Sequence, residues 1–137
     1  MKTNFANSPD GTRVAYDRSG TGPAIMLLHG GGSTRQEWHK AGYVSRLREK
    51  FTVITMDLRG HGETGMHTNP EYYTPEKMGQ DILAVADACG FEHFILWGMS
   101  YGGNVSRYLA QTAHRSSISY FSNFFTISLN QFDRLDK

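Results

Sequence analysis

The sequence predicts an α/β domain with a doubly wound, mostly parallel sheet covered by helices on both faces. Three observations predict it. First, short apolar runs recur at Ala24–Leu28, Thr52–Met56 and His93–Trp97. Runs with no polar alternation mark strands buried on both faces. Second, segments with helical spacing lie between and after these runs. Third, glycines follow the runs where the chain must turn. A strand–helix alternation of this kind builds a parallel sheet.

The elements follow in order. Lys2–Ala6 and Thr12–Arg18 read as a hairpin turning at Asn7-Ser8-Pro9-Asp10-Gly11. Gly20-Thr21-Gly22-Pro23 makes a loop before the first apolar run. Tyr43–Lys50 is a short amphipathic helix, with Val44, Leu47 and Phe51 at helical spacing. Pro75–Cys89 carries the strongest helix signal. Thr74 can cap it, Pro75 suits its first position and Gly90 ends it. Met78, Ile82, Val85, Ala86 and Cys89 share one stripe. Asn104–Ala113 continues as a helix after Gly102-Gly103.

The composition breaks near Ala113-His114. From His114 to Lys137 there is no Gly, Ala, Val, Pro or Glu, while four of the chain's eight Phe fall there. Two units are therefore expected: the body, 1–113, and a Ser/Phe-rich tail, 114–137, that could add one further strand. A buried parallel strand and a foreign or out-of-frame segment both remain open as readings of the tail.

The 137 residues fit one domain with a sizeable core. Lys+Arg 14 against Asp+Glu 13 leaves a formal charge of +1. That balance gives no argument for nucleic acid or an anionic membrane as partner. The single cysteine, Cys89, excludes an internal disulfide and a cysteine-built zinc site. The longest aliphatic runs, Ala24–Leu28 and Ile82–Ala86, fall far short of the ~20 apolar residues of a membrane helix. Met1-Lys2-Thr3-Asn4-Phe5 has no apolar signal core, so a cytoplasmic location is expected.

Chemistry concentrates at Gly98-Met99-Ser100-Tyr101-Gly102, a G-x-S-x-G between an apolar strand and a helix. A sharp strand-to-helix turn would strain the Ser100 backbone and expose its hydroxyl. Side chains two positions before and after would collide, which calls for Gly98 and Gly102. The helix N-terminus behind Ser100 favours an oxyanion. His29-Gly30-Gly31-Gly32 ends the Ala24–Leu28 strand, and the carboxyl ends of the strands in an open α/β sheet form the ligand crevice. An oxyanion hole would use the N–H of Tyr101 and that of Gly31 or Gly32.

Leu27-Leu28-His29-Gly30-Gly31, Asp57-Leu58-Arg59-Gly60-His61-Gly62 and Gly98-Met99-Ser100-Tyr101-Gly102-Gly103, in that order, resemble the α/β-hydrolase superfamily over roughly residues 5–113. The resemblance implies a serine hydrolase acting on small-molecule esters, thioesters, lactones or amides, with no cofactor. Ser100 matches the family nucleophile, and Gly31 and Tyr101 match its oxyanion positions. In the family the triad runs Ser, then Asp or Glu, then His. After Ser100 this sequence offers only His114, Asp133 and Asp136, with the histidine first. A helix running on from Ser100 would put His114 about 21 Å away. The chain is therefore expected to be truncated after the elbow helix and catalytically incomplete. A non-catalytic remnant or binding module is the alternative. An open sheet edge beside the last parallel strand, prone to self-association, is expected.

Other residues receive structural readings. His29 orders the glycine loop, while Asp57, Arg59 and His61 anchor the turn after the second parallel strand. His29, His61 and His67 lack metal-ligand spacing. Trp38 and Trp97 read as packing residues. Gly60-His61-Gly62-Glu63-Thr64-Gly65 has dinucleotide-loop spacing but does not open into a helix, which argues against that function.

Overall fold

A computed structural model describes residues 2–112, 117–121 and 124–128. Among these, β1 (Asn4–Asn7), β2 (Arg13–Ser19), β3 (Ala24–Leu28), β4 (Thr52–Met56), β5 (His93–Gly98), β6 (Ser117–Phe121) and β7 (Phe124–Ser128) form one sheet in the order β1-β2-β4-β3-β5-β7-β6. The helices are α1 (Gln36–Lys40), α2 (Tyr43–Leu47), α3 (Pro75–Cys89) and α4 (Tyr101–Thr112), with a 3-10 turn at Pro70–Tyr72. β3 pairs in parallel with β4 and β5. β2 and β7 run against the other five strands, so the sheet is mixed and mostly parallel.

The apolar runs explain the centre of the sheet. Every residue of β3 and of β4 is buried. Met26 and Leu28 face α3 and α4, packing with Met78, Ile82, Val85, Val105 and Leu109. Ile25 and Leu27 face α1 and α2, packing with Trp38, Val44 and Val53. Helices thus cover both faces, as expected of an α/β sheet. Trp38 is buried and its ring lies 5.1 Å from that of Trp97, so both are packing residues. The long helix has the expected ends. Thr74 accepts from the Lys77 N–H at 3.2 Å, Pro75 stands at the first turn, and Gly90 closes it with φ 78°.

Two features differ from the sequence expectation. α4 begins at Tyr101, so Gly102 and Gly103 lie inside its first turn rather than before it. The tail contributes two strands rather than one, and β7 pairs antiparallel with β5. The edge beside β5, expected to stand open, is therefore occupied by the β7–β6 hairpin. Isoleucine, phenylalanine and tyrosine in these stretches suit a strand. His114, Asp133 and Asp136 lie outside the described residues. No helix among the described residues is long and apolar enough to cross a membrane.

The register places the site. Leu28 is the Cα partner of both Met56 and Gly98. His29, Asp57 and Met99 follow directly after these three residues, at the carboxyl ends of neighbouring parallel strands. Distant sequence segments are thereby brought together at one rim of the sheet, where open α/β sheets place ligands.

Candidate active site

Ser100 sits between β5 and α4 with φ 53°, the one positive φ among the described non-glycine residues. A bulky chain is rarely held in this region, and such strain concentrates at functional sites. Two close approaches enforce the turn. A Cβ on Gly98 would overlap the Gly102 carbonyl and lie 2.5 Å from the Gly103 nitrogen. A Cβ on Gly102 would lie 2.5 Å from the Leu28 oxygen and 2.6 Å from the His29 oxygen. The Met99 N–H donates to the Leu28 carbonyl at 3.1 Å, tying the elbow to the end of β3. Ser100 is exposed at the surface of this rim.

The β3 loop passes beside the serine. A Cβ on Gly30 would stand 3.5 Å from the Ser100 Cβ, and one on Gly31 would stand 3.6 Å from the Tyr101 Cβ. Neither the Gly31 nor the Tyr101 N–H has an acceptor among the described residues. Of the two glycine amides expected as oxyanion donors, Gly32 is already engaged. Its N–H donates to His61 Nε2 at 3.1 Å, which leaves Gly31.

His29 and His61 are both committed elsewhere. His29 Nδ1 lies 2.7 Å from the Gly30 carbonyl, and its Nε2 accepts the Leu58 N–H at 3.0 Å. Burial pushes its imidazole below the ordinary histidine range. His61 Nδ1 lies 3.0 Å from the Arg59 carbonyl, while Nε2 holds Gly32. Neither ring has a nitrogen left to take a proton from Ser100. His61 does more than pack its own turn, because it reaches into the β3 loop.

Asp57 is fully buried and accepts from the Arg35 N–H at 2.7 Å, the Glu63 N–H at 2.9 Å and the Arg35 guanidinium. A Cβ on Gly62 would overlap its carboxylate, which explains a glycine there. Arg35 was not singled out by sequence reasoning. Its Nε donates to Asp17 at 3.0 Å, and its Nη2 donates to Thr3 and Glu63, each at 2.8 Å.

Arg59 is likewise fully engaged. Its Nε and Nη2 donate to the two oxygens of Asp81 at 2.7 and 2.8 Å, and Nη1 donates to Asp10 at 2.8 Å. Burial opposes ionisation of Asp10, but hydrogen bonds from Arg59 and Thr12 outweigh it and hold the carboxyl well below the usual range. A carboxylate held down only in the folded chain gives stability that is present above its unfolded value. That stability is lost as pH falls through the folded one. Urea unfolding is expected to show stability declining below about pH 4, and less steeply in Asp10→Asn. Identical acid profiles for the two proteins would refute the linkage.

A cavity of about 330 Å³ opens beside Gly31 and Tyr101. Met66, Tyr73, Met78 and Tyr101 line it. The Tyr101 hydroxyl donates to the Met78 sulfur at 3.0 Å. Arg59 also lines the cavity, but its charge is taken up by Asp10 and Asp81. The lining therefore offers apolar contact without a free cation.

The family model described as alpha/beta hydrolase fold matches residues 23–127. The chain belongs to the alpha/beta hydrolase family. Among its relatives, epoxide hydrolase 3 of Siraitia grosvenorii is 31% identical over 100 residues, covering 72% of this chain and 31% of that protein. Human protein phosphatase methylesterase 1 is 33% identical over 102 residues, covering 71% of this chain and 26% of that protein. The crystal structure of an alpha/beta hydrolase from Sphaerobacter thermophilus superposes with a TM-score of 0.69 at 37% identity, covering 78% of this chain and 39% of that one. The chain thus spans about three-tenths of the length of the curated relatives it matches.

Proposed function

We propose that this chain carries the nucleophile and oxyanion donors of a serine hydrolase that transfers an acyl group from a small ester, or a related thioester, lactone or amide, to Ser100 and then to water. The observation that carries the reading is the Ser100 backbone at φ 53°, flanked by the Gly31 and Tyr101 N–H groups that have no internal acceptor among the described residues. A carbonyl seated over Ser100 would direct its developing negative oxygen toward these two donors.

The two chemistries named among the relatives, epoxide opening and ester cleavage, place different demands on the nucleophile. A serine that opened an epoxide would be left as an ether, which water does not cleave under mild conditions. A serine acylated by an ester becomes an ester itself and turns over with water. Ser100 therefore favours acyl transfer. The apolar cavity, without a free cation, favours an uncharged acyl or alcohol group.

Activation is the missing part. A serine hydroxyl is a weak nucleophile without a base. Both histidines near the site have their nitrogens engaged. No base for Ser100 stands among the described residues beside it.

The test is fluorophosphonate labelling and aryl-ester hydrolysis by the purified 137-residue chain, with Ser100→Ala in parallel. The expected result is slow labelling that vanishes in Ser100→Ala. The residual catalysis should be of the ~10³–10⁴-fold size that oxyanion donors and binding give alone. A chain indistinguishable from Ser100→Ala would favour the alternative, a hydrolase-like domain that binds without reacting. Rapid stoichiometric labelling would show that a base is already present.

A further inference from the structure

We propose that His61 is a positioning residue of the oxyanion loop, forming with His29 a reciprocal clamp that fixes the two peptide planes on either side of Gly31. The proposal rests on the acyl-transfer reading, in which the Gly31 N–H is a donor to the oxyanion.

The hydrogen-bond partners determine each ring's tautomer. The Arg59 carbonyl can only accept, so the His61 Nδ1 beside it at 3.0 Å carries the proton. The Gly32 N–H can only donate, so the His61 Nε2 at 3.1 Å carries the lone pair. The same logic at the Gly30 carbonyl and the Leu58 N–H gives His29 the same state. Both rings are neutral Nδ1–H imidazoles, with centroids 4.9 Å apart.

The two bonds cross between loops. His29, in the loop after β3, takes the Leu58 amide of the loop after β4. His61, in the loop after β4, takes the Gly32 amide of the loop after β3. They also divide the backbone around Gly31. His29 donates to the Gly30 carbonyl, which shares a peptide plane with the Gly31 N–H and points opposite to it. His61 holds the next plane through the Gly32 N–H. Three consecutive glycines impose little conformational preference of their own, so the direction of the Gly31 N–H needs outside control. A Gly30–Ser33 turn bond of 3.2 Å and φ 77° at Gly32 complete that control.

The charged groups around His61 are themselves paired. Arg59 is bound by Asp10 and Asp81, and Asp57 and Glu63 by Arg35. His29 is the neighbouring titratable ring, and Tyr73 and Tyr101 face the same cavity. Protonating His61 would turn Nε2 into a donor aimed at the Gly32 donor, and the loop would be released.

The test uses the ¹⁵N-labelled 137-residue chain and no substrate. At about pH 8, long-range nitrogen–proton couplings should show the Nδ1–H form of His61. The Gly32 amide should exchange roughly ten-fold slower than a free glycine amide, the protection expected of one such hydrogen bond. Protection should disappear on acidification in step with the His61 ring. His61→Gln, whose amide oxygen can reach the Gly32 N–H, should keep the protection and lose its pH dependence. His61→Phe should lose the protection. An Nε2–H tautomer, an unprotected Gly32 amide at the higher pH, or protection unchanged in His61→Phe would overturn the proposal. The wild-type titration stands even if a variant fails to fold. A silent Ser100 would leave this readout untouched, so the two failures are distinguishable.

Discussion

Arg35→Met is expected to destabilise the chain by about 3–5 kcal/mol, the cost of leaving buried carboxylates without their cation. Arg35 and Asp17 are nearly inaccessible, and Asp57 is wholly so. Arg35 joins Thr3 before β1, Asp17 in β2 and both Asp57 and Glu63 beyond β4. Methionine would fill much of the volume but none of the charge. Domains of this size are stable by only ~5–15 kcal/mol, so the loss is a large fraction of the whole. The check is urea unfolding of wild type, Arg35→Met, Asp17→Asn and the double variant. Removing Asp17's charge in the Arg35→Met background should recover part of the loss, with a coupling of about 1–3 kcal/mol. Strict additivity would show that the Arg35–Asp17 pair contributes nothing, leaving the Arg35 effect to its bonds with Asp57, Glu63 and Thr3 and to packing.

The effect should extend to the site. Arg35 holds Asp57, and Asp57 accepts the Glu63 N–H in the space left by Gly62. His61 lies in that same turn. The arginine therefore supports the ring that holds Gly32, on the opposite side of β4 from Ser100 in sequence.

How much of this was legible in the sequence depends on the range of each interaction. β3 and β4 were readable because burial on both faces writes an unbroken apolar run, and no residue outside the run is needed to recognise it. The ends of α3 were readable because Thr74, Pro75 and Gly90 act within one turn of themselves. Gly98 was readable because the collision that requires it arises within a few residues of the turn, whereas the atoms that require Gly102 are the Leu28 and His29 carbonyls, distant in sequence. Arg35 was not readable. It stands in the polar stretch Ser33-Thr34-Arg35-Gln36, and its partners lie 18 to 32 residues away. α1 has five residues, too few for periodicity to appear. The hold of His61 on Gly32 spans 29 residues and depends on the alignment of β3 with β4, which only the folded sheet supplies. The antiparallel hairpin of the tail was missed for a related reason. Composition identifies strand-forming residues but not the direction in which they pair.

Gly102→Ala is expected to destabilise the chain by about 3 kcal/mol, at the upper end of what overpacking costs. Helix propensity alone predicts the opposite sign, because alanine stabilises a helix interior over glycine by about 1 kcal/mol. Gly102 lies in the first turn of α4, and its missing Cβ is the space into which the end of β3 fits. The atoms that an added methyl would meet are the Leu28 and His29 carbonyl oxygens at 2.5 and 2.6 Å. Both belong to backbone, and Leu28 already accepts the Met99 N–H, so neither can swing aside. Relief requires α4 to move away from β3, which would carry Ser100 away from Gly30 and Tyr101 away from Gly31. Gly79→Ala provides the contrast. Gly79 is a buried glycine within α3, and a Cβ there would meet the Leu109 Cδ1 at 3.5 Å, an ordinary contact. That variant is expected to be neutral or stabilised by up to about 1 kcal/mol. Chemical denaturation of the two variants separates the explanations. If both glycines respond alike, helix propensity governs them and the close approach of α4 to β3 is not what demands glycine at the elbow. If Gly102→Ala alone is destabilised, and its residual Ser100-dependent labelling falls further than its folded fraction does, the same approach sets both the stability of the elbow and the placement of its serine.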